Sequence, residues 1–144
     1  MSRFSSDEAL TNPTIEYEIK ALQYKSNNIS FHALQEPFKF YNAKRFFCLP
    51  SELVFGNNSL LEAMSFGMIP IVTRRHGVEL LIEDGINGIV TDMDEKSYSE
   101  GLIKASRLTD EQVFQMSKAA RNTVLNKYNV KQWTKQLLEI YERH

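Results

Sequence analysis

The stretch from Phe46 to Gly88, FFCLPSELVFGNNSLLEAMSFGMIPIVTRRHGVELLIEDGING, decides the fold. Its opening, residues 45–49, is a short and mostly apolar run of the kind buried on both faces in a parallel sheet, so a strand is predicted there. The loop Phe55-Gly56-Asn57-Asn58-Ser59 follows. A helix is predicted from Asn58 to Phe66, with Asn57 or Asn58 as its cap and Gly67 just past its end. Ile69 to Thr73 reads as a second buried strand, Val78 to Glu83 as a short helix stopped by Asp84-Gly85, and Gly88 to Thr91 as another strand. Strands alternating with helices imply an α/β protein with a parallel sheet and helices on both faces. A loop between a strand and a helix start is where such a protein takes an anionic, phosphorylated ligand. The first N–H groups of a helix have no intrahelical partner, and the helix dipole favours negative charge there. Glu62, in the first turns of that helix, carries an acceptor-only carboxylate suited to a vicinal diol such as that of ribose.

Working outward, residues 1–13 are polar and read as a flexible leading segment, and residues 14–144 as the domain. Ile15, Ile19 and Leu22 recur at helical spacing, which predicts a helix over 14–25. Residues 29–34 alternate between Asn27-Asn28 and Pro37 and read as a strand, and 38–44 as a helical turn or two. After Asp94 the pattern is helical to the end. One helix runs to about Arg107. A second opens on the capping box Thr109-Asp110-Glu111-Gln112 and runs to about Tyr128. A third opens at Asn129 and runs through Tyr141. Phe38, Phe40, Tyr41, Phe46 and Phe47 are expected to pack in the core, Trp133 to anchor the last helix in it, and Cys48 to be buried and inert.

With 144 residues the chain is long enough to bury a core, and 42% hydrophobic with 24% charged residues is a soluble globular composition. The net charge of −1 excludes the basic excess that a nucleic-acid-binding surface needs. A single cysteine excludes an internal disulfide and suits a reducing cytoplasm. One Cys and three scattered His give no metal-ligand spacing, so no metal is expected. No apolar run approaches the roughly 20 residues that span a bilayer, and the N-terminus lacks the apolar region of a secretory signal.

The run from Leu49 to Val72 resembles the donor-binding, C-terminal domain of retaining GT-B glycosyltransferases. It is most similar to the bacterial lipopolysaccharide and capsule sugar transferases of glycosyl transferases group 1. Pro50, Ser51, Leu61, Glu62, Ala63, Met64, Gly67, Pro70 and Val72 fall on the family pattern without a gap. Glu83-Asp84-Gly85-Ile86-Asn87-Gly88 resembles a downstream segment of the family, and Ala119-Ala120-Arg121, Tyr128 and Trp133 its closing helices. The resemblance implies one half of a GT-B fold: a Rossmann-like parallel sheet with flanking helices and a helical C-terminus, lacking the family's first βα units. It implies transfer of a sugar from a UDP-sugar, with a GDP-sugar second, to a glycan or lipid-linked acceptor in surface polysaccharide synthesis. No divalent metal is implied. Gly56, Asn57, Asn58, Ser59 and Leu60 would line the nucleotide-sugar site, largely through backbone, and Glu62 would bind the ribose hydroxyls. The acceptor would be held by an N-terminal domain that this chain lacks. The expected place is the cytoplasm, at the inner membrane when full length.

The chain departs from the family at one telling position. Val54 stands where the family has the Glu that contacts the donor sugar, and Phe55 where it prefers Gly. Val cannot accept those hydrogen bonds, and Glu52 could substitute only in a rearranged loop. The catalytic residues are therefore left open. Arg74 and Arg75 follow a strand on the edge where α/β ligands bind, and are candidates for phosphate or an acidic acceptor, against the plainer reading of a solvated basic loop. The chain is read as a cut piece of a two-domain enzyme or a natural half, inactive alone. The alternative is a non-catalytic binding or scaffold module that kept the half-fold. A sheet edge left open by the absent strands would invite dimerisation.

Overall fold

The computed structural model describes residues 36–42, 44–54 and 56–143. The helix expected over 14–25, the strand over 29–34, the leading segment 1–13 and Phe55 lie outside them. The chain divides into two units, Met1–Lys39 and Phe40–His144. In the first, the described residues are Glu36 to Lys39, where Lys39 pairs with Glu36 at 3.1 Å.

The elements in chain order are α1 (Phe38–Tyr41), β1 (Phe46–Leu49), α2 (Asn58–Ser65), β2 (Ile69–Thr73), a 3-10 turn (Val78–Leu80), β3 (Ile89–Thr91), α3 (Glu95–Ser106), α4 (Asp110–Lys127) and α5 (Val130–Glu142). The three strands form one parallel sheet in the order β1-β2-β3. Phe46 to Leu49 pair with Ile69 to Val72, and Ile71 to Thr73 with Ile89 to Thr91. Pro70 has no N–H to give a ladder, and it is the last position before pairing with β3 begins at Ile71. All five residues of β2 are buried, as a central parallel strand requires.

Alternation along the strands sorts the apolar residues onto two faces. On one, Val72 packs with Val54, Leu60, Met64, Val78, Leu81, Ile82, Ala120 and Val124. On the other, Ile69, Ile71 and Ile89 pack with Ala105 and Met116. Helix α4 therefore serves both clusters.

Sequence boundaries hold to within a residue or two for β2, β3, α2, α3 and α4. The Thr109–Gln112 capping box is formed, with N–H donation to Thr109 Oγ1 at 3.2 Å and to Gln112 Oε1 at 2.9 Å. The short helix at Val78 is a single 3-10 turn. Three expectations are corrected. Among the described residues β1 lies at the sheet edge, so it is only partly buried and Cys48 is exposed. The Cys48 thiol is nonetheless sheltered beside Tyr98, and that shelter pushes its pKa up, so it stays mostly protonated. Trp133 is 62% exposed and α5 has no buried residue, because nothing among the described residues covers its apolar face. Of the aromatic cluster, Tyr41 is buried, Phe46 and Phe47 are partly so, and Phe38 is exposed.

Candidate functional site

The site is built where β1 and β2 end on the same sheet edge. Thr73, the last residue of β2, is buried and ties down the loop that leaves β1. Its hydroxyl donates to the Ser51 carbonyl at 2.6 Å and accepts from the Ser51 N–H at 3.2 Å. Ser51 Oγ in turn accepts from the Leu53 N–H at 3.1 Å, closing a local turn. Glu52 and Leu53 project into solvent. Val54 is 1% exposed and sits in the core against the α2 side of the sheet.

The chain then turns back on itself, with the Asn57 N–H donating to the Val54 carbonyl at 3.3 Å. Gly56, at φ +75, supplies a conformation that an L side chain rarely adopts. Asn57 is the cap of α2: it is extended, and its side chain accepts from the Leu60 N–H at 3.1 Å. The cap, open between two residues in the sequence, is thus Asn57. Asn58 and Ser59 are exposed first-turn positions, whose N–H groups helix geometry leaves without intrahelical partners. Leu60 is fully buried, so its side chain belongs to the core and its N–H to the cap. The C-terminal end of α2 is closed by a Schellman motif, with the Gly67 N–H to the Met64 carbonyl at 2.9 Å and the Met68 N–H to the Ala63 carbonyl at 3.1 Å.

Glu62 lies in the second turn of α2, half-buried. Tyr41 stands beside it. Burial first, and then the charge of Glu62, push the Tyr41 pKa up. Sequence reading treated Tyr41 as plain core. A buried phenol needs a hydrogen-bond partner, and the Tyr41 hydroxyl donates to the Ser59 carbonyl at 3.5 Å.

Arg74 and Arg75 follow β2 but face the β3 side. Arg74 is exposed and pairs with Asp92 at 3.2 Å. The Arg75 guanidinium contacts the Met93 sulfur, and its Nε is buried without a hydrogen-bond partner. Together with Val78, Glu79, Ile82, Asp84 and Val90 they line a cleft of about 230 Å³. That is below the roughly 300 Å³ at which small-molecule pockets begin, so the cleft would hold at most part of a nucleotide sugar. The structure thus gathers Gly56, Asn57, Asn58, Ser59 and Glu62 around one helix start, and sets Arg74 and Arg75 apart from them on the same sheet edge. Among the described residues no group of three His, Cys, Asp or Glu could hold a metal ion.

Several solved structures share this arrangement. A glycosyltransferase from Rickettsia africae superposes with a TM-score of 0.73 at 20% identity, covering 93% of this chain and 38% of that one. HepE from Anabaena, solved with UDP-glucose, gives 0.75 at 15% identity, covering 95% of this chain and 39% of that one. The catalytic domain of starch synthase IV from Arabidopsis thaliana, bound to ADP and acarbose, gives 0.66 at 18% identity, covering 92% and 30%. The chain therefore spans about two-fifths or less of the length of these neighbours, and at such identities the likeness is one of fold: the sheet, its helices and the helical C-terminus are those of one half of a GT-B protein. No curated protein sequence matches the chain significantly. The sequence profile of the family described as Glycosyl transferases group 1 matches residues 10–107, more than half of the chain's 144. The chain belongs to the glycosyl transferases group 1 family.

Proposed function

We propose that this chain is the donor-binding, C-terminal half of a retaining glycosyltransferase. The reaction moves a sugar from a UDP-sugar, with a GDP-sugar second, to a glycan or lipid-linked acceptor in bacterial surface polysaccharide synthesis. The observation that carries the reading is the Asn57-capped start of α2 at the C-terminal edge of a parallel sheet, with Glu62 one turn further along. The N–H groups of Asn58 and Ser59, with the helix dipole, suit a diphosphate that gains charge as it leaves. Gly56 lets the backbone approach the ligand, and Glu62 accepts from the ribose diol. Arg74 and Arg75 meet phosphate or an acidic acceptor once Arg74 gives up Asp92. UDP-glucose and ADP in the neighbours HepE and starch synthase IV support a nucleotide-sugar donor.

The reading includes no metal. It places the full-length enzyme in the cytoplasm, peripheral at the inner membrane, with an N-terminal domain for the acceptor; this chain alone binds nucleotide weakly and transfers nothing. It also allows a dimer through the β1 edge, which light scattering on the chain would detect. Calorimetric titration with UDP, GDP and ADP, with Glu62→Ala as control, tests the site. Binding that the variant loses supports it, and equal binding by both proteins removes Glu62 from the site. One observation favours a second reading, a non-catalytic binding or scaffold module. Val54 fills with buried hydrocarbon the position from which the family's Glu reaches the donor sugar. Binding of the nucleoside diphosphate with no added affinity for its sugar conjugate is the outcome expected of that module.

A further inference from the structure

The cleft on the β3 side holds a cation whose hydrogen bonds are incomplete. The Nε of Arg75 is buried and has no partner. Nη2, on the same edge of the guanidinium, contacts the sulfur of Met93, a weak acceptor. Among the described residues no carboxylate pairs with Arg75, although Glu79 and Asp84 line the same cleft. Both are engaged elsewhere. Glu79 Oε1 accepts from the Gly77 N–H at 3.3 Å. Asp84 Oδ1 accepts from the Val90 N–H at 2.9 Å and faces Lys104 at 3.8 Å. Arg74 is paired with Asp92. A sheltered donor without a partner is destabilising, and an ion that completes it is one of the few reasons for a native protein to keep one.

Shape and charge together narrow the choice of ligand. At about 230 Å³ the cleft takes a single sugar ring and not a whole nucleotide sugar. Val78, Ile82 and Val90 offer apolar walls to the C–H faces of such a ring. Glu79 and Asp84 keep acceptor positions for its hydroxyls, since a carboxylate has about four. One unpaired cation beside two carboxylates balances a single negative charge. A phosphate dianion would meet the same two carboxylates with half of its own charge uncompensated. The planar fork of a guanidinium matches the two oxygens of a carboxylate. Met93 is 43% exposed and unbranched, so its sulfur can leave that edge at little cost.

We propose that the Arg75 cleft binds a sugar acid, a hexose ring bearing one carboxylate, and that Arg75 selects the acid over the neutral sugar. The proposal rests on the reading of Arg75 as a ligand residue at the C-terminal edge of the sheet. The carboxylate has two possible sources, the sugar of the donor and an acidic acceptor.

The test uses the 144-residue chain and reads affinity ratios by calorimetry, with thermal melting to check that each variant folds. In the donor arm UDP-glucuronate is compared with UDP-glucose. In the acceptor arm glucuronate is compared with glucose, with and without UDP. The expected result is a preference for the acid of roughly tenfold to a hundredfold, the range of hydrogen bonds to a charged group, and the arm that shows it names the source. Arg75→Met keeps the length of the side chain without its charge and brings the ratio to about one. Arg75→Lys keeps the charge without the fork and falls between. No preference in either arm overturns the proposal, and so does a preference that survives Arg75→Met. Equal weakening of UDP-glucuronate and UDP-glucose by Arg75→Met puts the cation on the diphosphate, which overturns the proposal and leaves the nucleotide site standing. Inorganic phosphate titrated alone checks the charge argument: Arg75-dependent binding tighter than that of glucuronate overturns it. Arg75-dependent binding of glucuronate by a chain that takes neither UDP conjugate upholds the cleft and removes the nucleotide reading instead.

Discussion

Thr73 has no chemistry to offer a ligand, yet it sets the course of the loop that the candidate site depends on. It is buried at the end of β2, and its one hydroxyl serves both the N–H and the carbonyl of Ser51. Thr73→Val keeps the shape and strands both groups in a sheltered place. The expected loss is about 1–3 kcal/mol of unfolding free energy, read from urea denaturation, the usual penalty for orphaned polar groups. Val54 makes the opposite point. The Val54→Glu change puts a carboxylate into the core instead of the cleft. A carboxylate forced among Leu60, Met64 and Val72 without a partner costs about 3–5 kcal/mol. Burial raises its folded-state pKa above the unfolded value, so the folded protein holds the proton more tightly. The variant is therefore least impaired at acid pH and loses stability as pH rises through that raised pKa. Denaturation midpoints for wild type and variant between acid and neutral pH give the check: a deficit that does not grow with pH means that the introduced carboxylate has found solvent.

At the scale of elements, the backbone pattern was readable and its surroundings were not. Alternating apolar runs, the Thr109 capping box and the Gly67 stop are local signals, and each has a local cause in the structure. The exposure of Cys48 and Trp133 is not local. It depends on which neighbour covers β1 and α5, and a period in the sequence says which face is apolar without saying what lies against it. The candidate site divides in the same way. The helix start was legible from loop composition and spacing, whereas the tie between Thr73 and Ser51 entered only when two strands distant in sequence were brought together. One close approach of this kind governs how α3 lies on β3. Gly101 is buried in the middle of α3, and a Cβ there would stand 2.4 Å from Thr91 Cγ2. Helix propensity alone favours Gly101→Ala by about 1 kcal/mol. Overpacking costs about 1–3 kcal/mol, so the variant is expected to be less stable on balance. Thr91→Ser removes the offending methyl and keeps a hydroxyl able to donate to the Val72 carbonyl. Adding it to Gly101→Ala should recover most of the loss, and an unfolding cycle over the four proteins measures the coupling. The absence of recovery would mean that α3 has shifted as a whole.

For the molecule as a whole, stability is unevenly spread, and the fold says where. The centre is β2, buried along its length between two apolar clusters. At the other extreme is α5, thirteen residues without a buried member, with Val130, Trp133, Leu138, Ile140 and Tyr141 all exposed. Its N-cap is in order, with Asn129 Oδ1 accepting from the Lys131 N–H at 2.9 Å. A cap contributes about 1 kcal/mol, though, and a helix of this length is marginal in water without packing. Amides of α5 are therefore expected to exchange with solvent through local opening, and those of β2 only through global unfolding. Hydrogen exchange followed by mass spectrometry gives the order: α5 first, β2 last, with α4 between them because Met116, Ala120 and Val124 tie it to both clusters. Trp133 is the chain's one tryptophan and reports on α5 alone. Its fluorescence should resemble that of tryptophan in water and be quenched readily by acrylamide in the native chain. A blue-shifted, shielded Trp133 together with strong protection of α5 would mean that the helix is packed in solution, so that its apolar face has found a cover. A concentration series shows whether that cover is a second copy of the chain, which weakens on dilution.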